Sequence, residues 1–313
     1  MAEARATQQK SVPARVGTLI GIVSEKNPRH SAFVEHALTL ITDAEIADLE
    51  RYLGYCEDKG HNLEYLAQCY LTIVQDTLKE QMYFMRNRKY QQSNYEEVAK
   101  AIYHNKEYMD RYMYGLAITG FFWPNHVEMG RFFMRTLPKD KGGKYLEIGP
   151  GHGYYFMKAL ELGSFDSLLG IDISEASVRQ SQAILDHFYP DEKDRYELRQ
   201  MNFLDADGLE AESYDTIVMG EVLEHVENPL TFMKRIAELA KPDAYIYMTT
   251  CANAPAIDHI YLYECPKDVE DQFEEAGLDI VEACILPYEG QTIERCIKDG
   301  LAINVAYTLK KKA

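Results

Sequence analysis

Three glycines at alternating positions, Gly149, Gly151 and Gly153, follow the run Tyr145, Leu146, Glu147 and Ile148. Glycines so placed allow a tight turn out of a strand and let a ligand approach the backbone where side chains would collide. The spacing discriminates between ligands. A dinucleotide fingerprint, G-x-G-x-x-G, needs glycine at the position held here by Tyr154, so a pyrophosphate-bearing cofactor fits poorly. Glu147 argues the same way, because a carboxylate repels phosphate and attracts a cationic ammonium group. Asp172 follows Gly170 and Ile171, about 20 residues beyond the loop, where an acid can hold the two hydroxyls of a ribose. An Asp at a strand end also caps helices. Taken alone the two readings divide evenly, and the glycine loop before it favours the ribose.

A second set of reactive side chains lies further on. Glu221, Glu224 and His225 stand at i, i+3 and i+4, so a helical turn would project all three from one face. Oxygen-rich ligation suits magnesium, yet no full ligand set is visible, so a metal-free site is the favoured reading and a divalent metal the alternative. His259 closes the stretch Ala254, Pro255, Ala256, Ile257 and Asp258. Histidine titrates near neutrality, and ligands of parallel sheets bind at strand C-termini. His259, Glu221 and His225 are therefore the candidates for a general base. Before the glycine loop, Tyr108, Tyr112, Tyr114, Phe121, Phe122, Trp123 and His126 crowd one segment. Such density usually means core. A lid over the site has to come from this segment, so Tyr112, Trp123 and His126, with His259, are the expected contacts of an acceptor molecule.

These residues need elements to position them. Residues 1–14 read as a disordered leader and residues 15–135 as helical. Thr42 to Glu45 and Ser93 to Glu96 have the form of capping boxes. Leu63, Leu66, Ala67, Tyr70, Leu71 and Val74 make one apolar face, and Pro124 suits the first turn of a helix. From residue 142 short apolar runs alternate with helical patterns, the signature of β-α-β units. Strands are predicted at 144–148, 167–172, 196–203, 216–219, 244–250, 279–286 and 302–309, with helices opening near Gly153, Ser174, Asn228 and Pro266. No helical pattern separates the last two strands, so an antiparallel hairpin is expected at one edge. The predicted fold is α/β: a seven-stranded, mostly parallel, doubly wound sheet with its last strand antiparallel, behind an N-terminal helical lid or dimerisation region. The sheet domain spans residues 136–313.

Composition limits the partners. The 313 residues carry 33 Lys plus Arg against 50 Asp plus Glu, a net charge of −17. That charge disfavours nucleic acid and anionic membranes. The six cysteines show no C-x-x-C pair, which suits reduced thiols in the cytoplasm and removes an iron–sulfur radical route.

The order of these motifs resembles the class I, Rossmann-like S-adenosylmethionine-dependent methyltransferases over residues 136–313, and small-molecule enzymes among them. The resemblance implies S-adenosylmethionine as cofactor and S-adenosylhomocysteine as product. It places Glu147, Gly149 and Gly151 at the methionine end, Asp172 at the ribose, and Asn202 and Phe203 at the adenine, although the family more often has Asp where Asn202 stands. Gly153, Ile173, Gly220 and Glu221 complete the expected cofactor set. The stretch from Tyr214 to Val226 looks like the fourth strand and turn of this class. Its Met219, Gly220, Glu221 and Val222 differ from the Asn/Asp-Pro-Pro-aromatic sequence of nucleobase methylators. The expected reaction is therefore methyl transfer to an O, N or C nucleophile of a small metabolite, in specialised biosynthesis, by a homodimer. Aminopropyl transfer and a non-catalytic regulatory role are the competing readings.

Overall fold

The computed structural model describes residues 12–103 and 105–312. Most of the expected leader lies outside the described residues, and its last position, Ala14, already opens helix α1 (Ala14–Lys26). Helices α2 (Ser31–Leu40), α3 (Asp43–Asp58) and α4 (Leu63–Asn87) follow. α3 starts where its capping box requires: Thr42 Oγ1 accepts the Glu45 N–H at 3.2 Å, and Glu45 returns a carboxylate to the Thr42 N–H at 2.6 Å. α4 begins at Asn62, whose side chain accepts from the Tyr65 N–H, and it buries Leu66, Ala67, Tyr70 and Val74 as the apolar spacing predicts.

The second expected capping box is shifted. Asn94, not Ser93, caps the short α5 (Tyr95–Val98) by accepting from the Glu97 N–H. That register turns Val98 inward, and the π turn after it (Ala99–Tyr103) does the same for Ile102. α6 (Lys106–Phe122) crosses α4 so closely that a Cβ on Gly115 would lie 2.5 Å from the Cys69 carbonyl oxygen. α7 (Pro124–Thr136) carries Pro124 in its first turn, where the missing N–H costs nothing.

The sheet has seven strands in the order β3-β2-β1-β4-β5-β7-β6. They are β1 (Lys144–Ile148), β2 (Ser167–Asp172), β3 (Tyr196–Gln200), β4 (Tyr214–Gly220), β5 (Ala240–Ala252), β6 (Leu278–Pro287) and β7 (Ile303–Lys311). The first five pair in parallel, and β7 runs antiparallel between β5 and β6. Helices α8 (Tyr154–Leu162), α9 (Glu175–Phe188), α10 (Pro229–Leu239) and α11 (Pro266–Glu275) make the crossovers.

Two local expectations need correction. β3 stops at Gln200 and not at 203, because the Asn202 side chain accepts the Leu204 N–H and winds residues 203–205 into a 3-10 turn. The last two strands are not joined by a plain hairpin. Helix α12 (Ile293–Asp299) intervenes, capped by Thr292 and stopped at Gly300 with φ 66°. It buries only Cys296, too little for a visible apolar period.

The helical half is packed onto the sheet layers. Ile184 of α9 joins the core formed by α1, α3, α4 and α6, while α7 and α8 share a core with β1, β2 and β4. Lys158 pairs with Asp48 at 2.8 Å and Arg131 with Glu45 at 2.7 Å. Among the described residues no helix is long and apolar enough to cross a membrane.

Candidate functional site

The C-terminal ends of β1, β2, β4 and β5 open into one cleft of about 1130 Å³, roofed by α2, α4, α6 and the Tyr95–Tyr103 segment. At its floor the glycine turn has φ 67° at Gly149, 55° at Gly151 and 78° at Gly153. Left-handed backbone of this kind favours glycine. Gly149 has a second reason, since a Cβ there would stand 2.6 Å from Val222 Cγ2.

Asp172 ties this turn to the next element. Its Oδ2 accepts the Gly151 N–H at 3.1 Å and its Oδ1 accepts the Ser174 N–H at 2.8 Å. The Ile173 N–H and the Ser177 hydroxyl also bond to this carboxylate, and the residue lines the cleft. Burial pushes its pKa up to about 6, against the opposing pull of the backbone donors at Ser174 and Gly151. The helix-capping and ligand-holding readings of this aspartate are thus compatible in one geometry. Ile173, 41% exposed, stands beside it at the cleft.

Not every expected cofactor residue reaches the cleft. Glu147 is 1% exposed and sits below the turn, outside the lining, where its carboxylate accepts the Tyr145 hydroxyl. Burial raises its pKa to about 8. Gly153 is also outside the lining and packs against Ser181. Asn202 and Phe203 do line it, but Asn202 spends its amide on Asp205 at 2.7 Å. Gly220 lets Tyr155 pack close, a Cβ there falling 2.6 Å from the ring.

The turn after β4 holds the reactive cluster, though not as one helical face. Glu221 is left-handed, φ 52°, held by its N–H to Thr249 Oγ1 at 3.0 Å, and only residues 223–225 wind, as a 3-10 turn. The turn nevertheless brings Glu224, His225 and His259 within 4.8 Å of one another, and Glu221 and Glu224 likewise with Cys251. Glu224 is fully buried; its Oε2 accepts Thr250 Oγ1 at 2.7 Å. Among the described residues, Glu221 Oε1, Glu224 Oε1 and Asp258 Oδ1 are buried without a hydrogen-bond partner. Orphaned buried acceptors are costly unless something supplies the missing positive charge or proton.

The two imidazoles are oriented from behind. His259 Nδ1 lies 2.6 Å from the Ala254 carbonyl and His225 Nδ1 lies 3.1 Å from the Asp258 carbonyl. A carbonyl only accepts, so both Nδ1 atoms carry a proton, and in the neutral rings both Nε2 atoms keep a lone pair. That is how metal-binding histidines are held. Burial lowers the pKa of His225, but the charges of Asp258 and Glu224 outweigh it and the net effect is a rise. His259 is lowered by burial and by His225. Glu224, His225 and His259, or Glu221, Glu224 and Cys251, could therefore hold a divalent cation between them, the two groups sharing Glu224.

A methyltransferase-domain family model matches residues 124–296. The chain belongs to that methyltransferase family. With the seven-stranded sheet, this is the class I, Rossmann-like family that uses S-adenosylmethionine. Among curated relatives, the ubiquinone biosynthesis O-methyltransferase of Leptothrix cholodnii is 29% identical over 124 residues, 39% of this chain and 49% of that one. The chain thus spans about half the length of that relative. The enzyme of the same name from Acinetobacter baylyi is 23% identical over 190 residues, 54% of this chain and 78% of that one. The fold is shared with the Haemonchus contortus phosphoethanolamine N-methyltransferase 2 solved with S-adenosylhomocysteine, at a TM-score of 0.53 and 12% identity, covering 71% of this chain and 61% of that one.

Within the methyltransferase cleft, Tyr112, Trp123, His126 and His259 all line the wall. Trp123 lies tilted against His126, ring centroids 5.0 Å apart. Burial and His152 lower the His126 pKa to about 4. Two contributors were missed by sequence. Tyr103 lies 3.2 Å from His225 Nδ1 and 3.3 Å from Asp258 Oδ2 through its hydroxyl, and Asp258 faces both histidines. Asp258 was visible only as the neighbour of His259; Tyr103 sits in a π turn, a feature frequent at functional sites but without a residue signature.

Proposed function

We propose that the chain transfers the methyl group of S-adenosylmethionine to a hydroxyl of a small metabolite in a biosynthetic route. The observation that carries this reading is that one cleft joins Asp172 and the glycine turn to Glu221, Glu224, His225 and His259, which fall in two groups sharing Glu224. The relatives named O-methyltransferases support oxygen as the nucleophile. S-adenosylmethionine supplies an electrophilic methyl on a sulfonium. Asp172 holds its ribose, the glycine turn lets its methionine end approach the backbone, and Ile173 and Phe203 offer apolar contact at the nucleoside end. Tyr103, Tyr112 and Trp123 cover the cleft from the helical side and exclude water, and they fix the acceptor so that its oxygen lies in line with the methyl. A divalent cation held by either group would lower the pKa of an acceptor hydroxyl. Tyr103 and Asp258 keep His225 in the tautomer that leaves Nε2 free.

The test is label transfer from methyl-labelled S-adenosylmethionine to methyl 3,4-dihydroxybenzoate and to metabolite extracts, with the product identified by mass spectrometry. A labelled methyl ether that disappears with EDTA is the expected result. Labelling only on nitrogen or carbon, or none while S-adenosylhomocysteine binds, would refute the proposal.

A further inference from the structure

The cleft has a lobe that the cofactor contacts do not use. Phe33 of α2, Ile73, Val74 and Leu78 of α4, Trp123 and Tyr288 line it, and Phe33, Val74 and Trp123 meet in one apolar cluster. Its polar groups are neutral or acidic. Thr77 and Gln81 lie on α4, and Asn125 donates to Asn304 at 2.6 Å. Glu128 and Glu289 are the carboxylates of this lobe, and their partners, Arg131 and His36, stand outside the lining. Over the whole cleft, Asp172, Glu221, Glu224, Glu227 and Asp258 add to them, while no lysine or arginine lines it among the described residues. On α4, Asp76 is paired with Lys79 at 2.8 Å, and Glu80 is 7% exposed.

An anionic group entering this lobe would lose its water and meet neither an ammonium nor a guanidinium. Buried charges need such a partner. Proteins that take carboxylates or phosphates supply Arg or Lys for the purpose. The many apolar walls reward the opposite kind of molecule.

We propose that the acceptor carries an uncharged, apolar body into the lobe between α2, α4 and Trp123, and that the lobe selects against acceptors bearing a carboxylate or phosphate there. This rests on the hydroxyl-methylation reading for the chemistry, but the selection is a property of the walls and can be measured without turnover.

Trp123 is the one tryptophan in the sequence and it lines the lobe, so its fluorescence reports occupancy. The probes are methyl 3,4-dihydroxybenzoate and 3,4-dihydroxybenzoate, which share the ring and both hydroxyls and differ in charge. Each is titrated into the full chain with S-adenosylhomocysteine and magnesium present, at pH 7.5. The expected result is binding of the ester at least about tenfold tighter than the acid, a difference of about 1.4 kcal/mol. Thr77→Lys, and independently Gln81→Lys, place an ammonium at the lobe and are expected to shrink that ratio at least about threefold. Equal or tighter binding of the acid by the unaltered chain, or no response to either probe, overturns the proposal. So does an unchanged ratio in both folded lysine variants. Failure of label transfer with the binding order intact overturns the methylation reading alone.

Discussion

Replacing Asp172 by Asn tests the part of the site that the structure defines best. The carboxylate accepts the Gly151 N–H at 3.1 Å and the Ser174 N–H at 2.8 Å. An amide keeps one oxygen and turns an NH2 group toward one of these donors, so one of the two bonds is lost. The same exchange removes a charged acceptor for a ribose hydroxyl, worth about 1.5–3 kcal/mol, or about ten- to hundredfold in affinity. Titration calorimetry with S-adenosylhomocysteine at pH 7.5 is expected to show that loss. The pH dependence sharpens the test. Burial raises the Asp172 pKa to about 6, so the unaltered protein should bind less tightly as pH falls through that value. Asp172→Asn should show no such step. The sign for stability is the reverse: a carboxyl whose folded pKa is raised stabilises the fold below its ordinary value of 3.8, and that contribution is lost as pH rises through about 6. The variant's stability deficit should therefore be larger at pH 4 than at pH 7.5. Affinity within twofold of the original, with the same pH step, would refute the assignment of Asp172 to the nucleoside.

Gly149→Ala places a Cβ 2.6 Å from Val222 Cγ2 at φ 67°, and should lower unfolding free energy by about 1–3 kcal/mol in urea titrations; Val222→Ala should recover part of that loss, and no recovery would show that the strain lies elsewhere. Glu224→Gln should weaken manganese binding at least about tenfold by calorimetry, whereas an unaltered chain that binds no manganese at millimolar concentration would remove the cation from the account. Glu147, with a folded pKa of about 8 above an ordinary 4.5, contributes stability below pH 4.5 that is lost as pH rises through about 8. Glu147→Gln, which keeps an oxygen for the Tyr145 hydroxyl, should flatten the melting temperature between pH 6 and 9, and an unchanged slope would contradict the buried placement of the Glu147 carboxyl.

The sheet was legible because its signals are local. Alternating glycines, an acid at a strand end and short apolar runs each follow from backbone geometry within a few residues, and β1 and β2 lie at the predicted bounds. What escaped depended on contacts distant in sequence or on elements too short to have a period. α12 is seven residues long and buries one side chain, and β3 ends early because a single amide at Asn202 recaptures the chain. In the site, Glu147 looked like a ligand contact from its place in the motif, yet β1 runs beneath the turn and its side chain points to Tyr145. The converse holds for the cluster after β4. Spacing at i, i+3 and i+4 suggested a helical face, while the meeting of Glu224 and His225 with His259, and of Glu221 and Glu224 with Cys251, comes from a left-handed residue, a 3-10 turn and a loop beyond β5. Tyr103 could not be placed at all until α5 and its π turn were seen over the cleft.

The central claim is that the turn after β1 and the end of β2 cradle S-adenosylmethionine. A crystal structure of the chain with S-adenosylhomocysteine tests it directly. The amino-acid end of the ligand should lie over Gly149 and Gly151 and its ribose hydroxyls on Asp172, with the sulfur directed toward the lobe that holds Trp123. Density for the nucleoside anywhere else, or NAD seated over the same turn, would contradict the account.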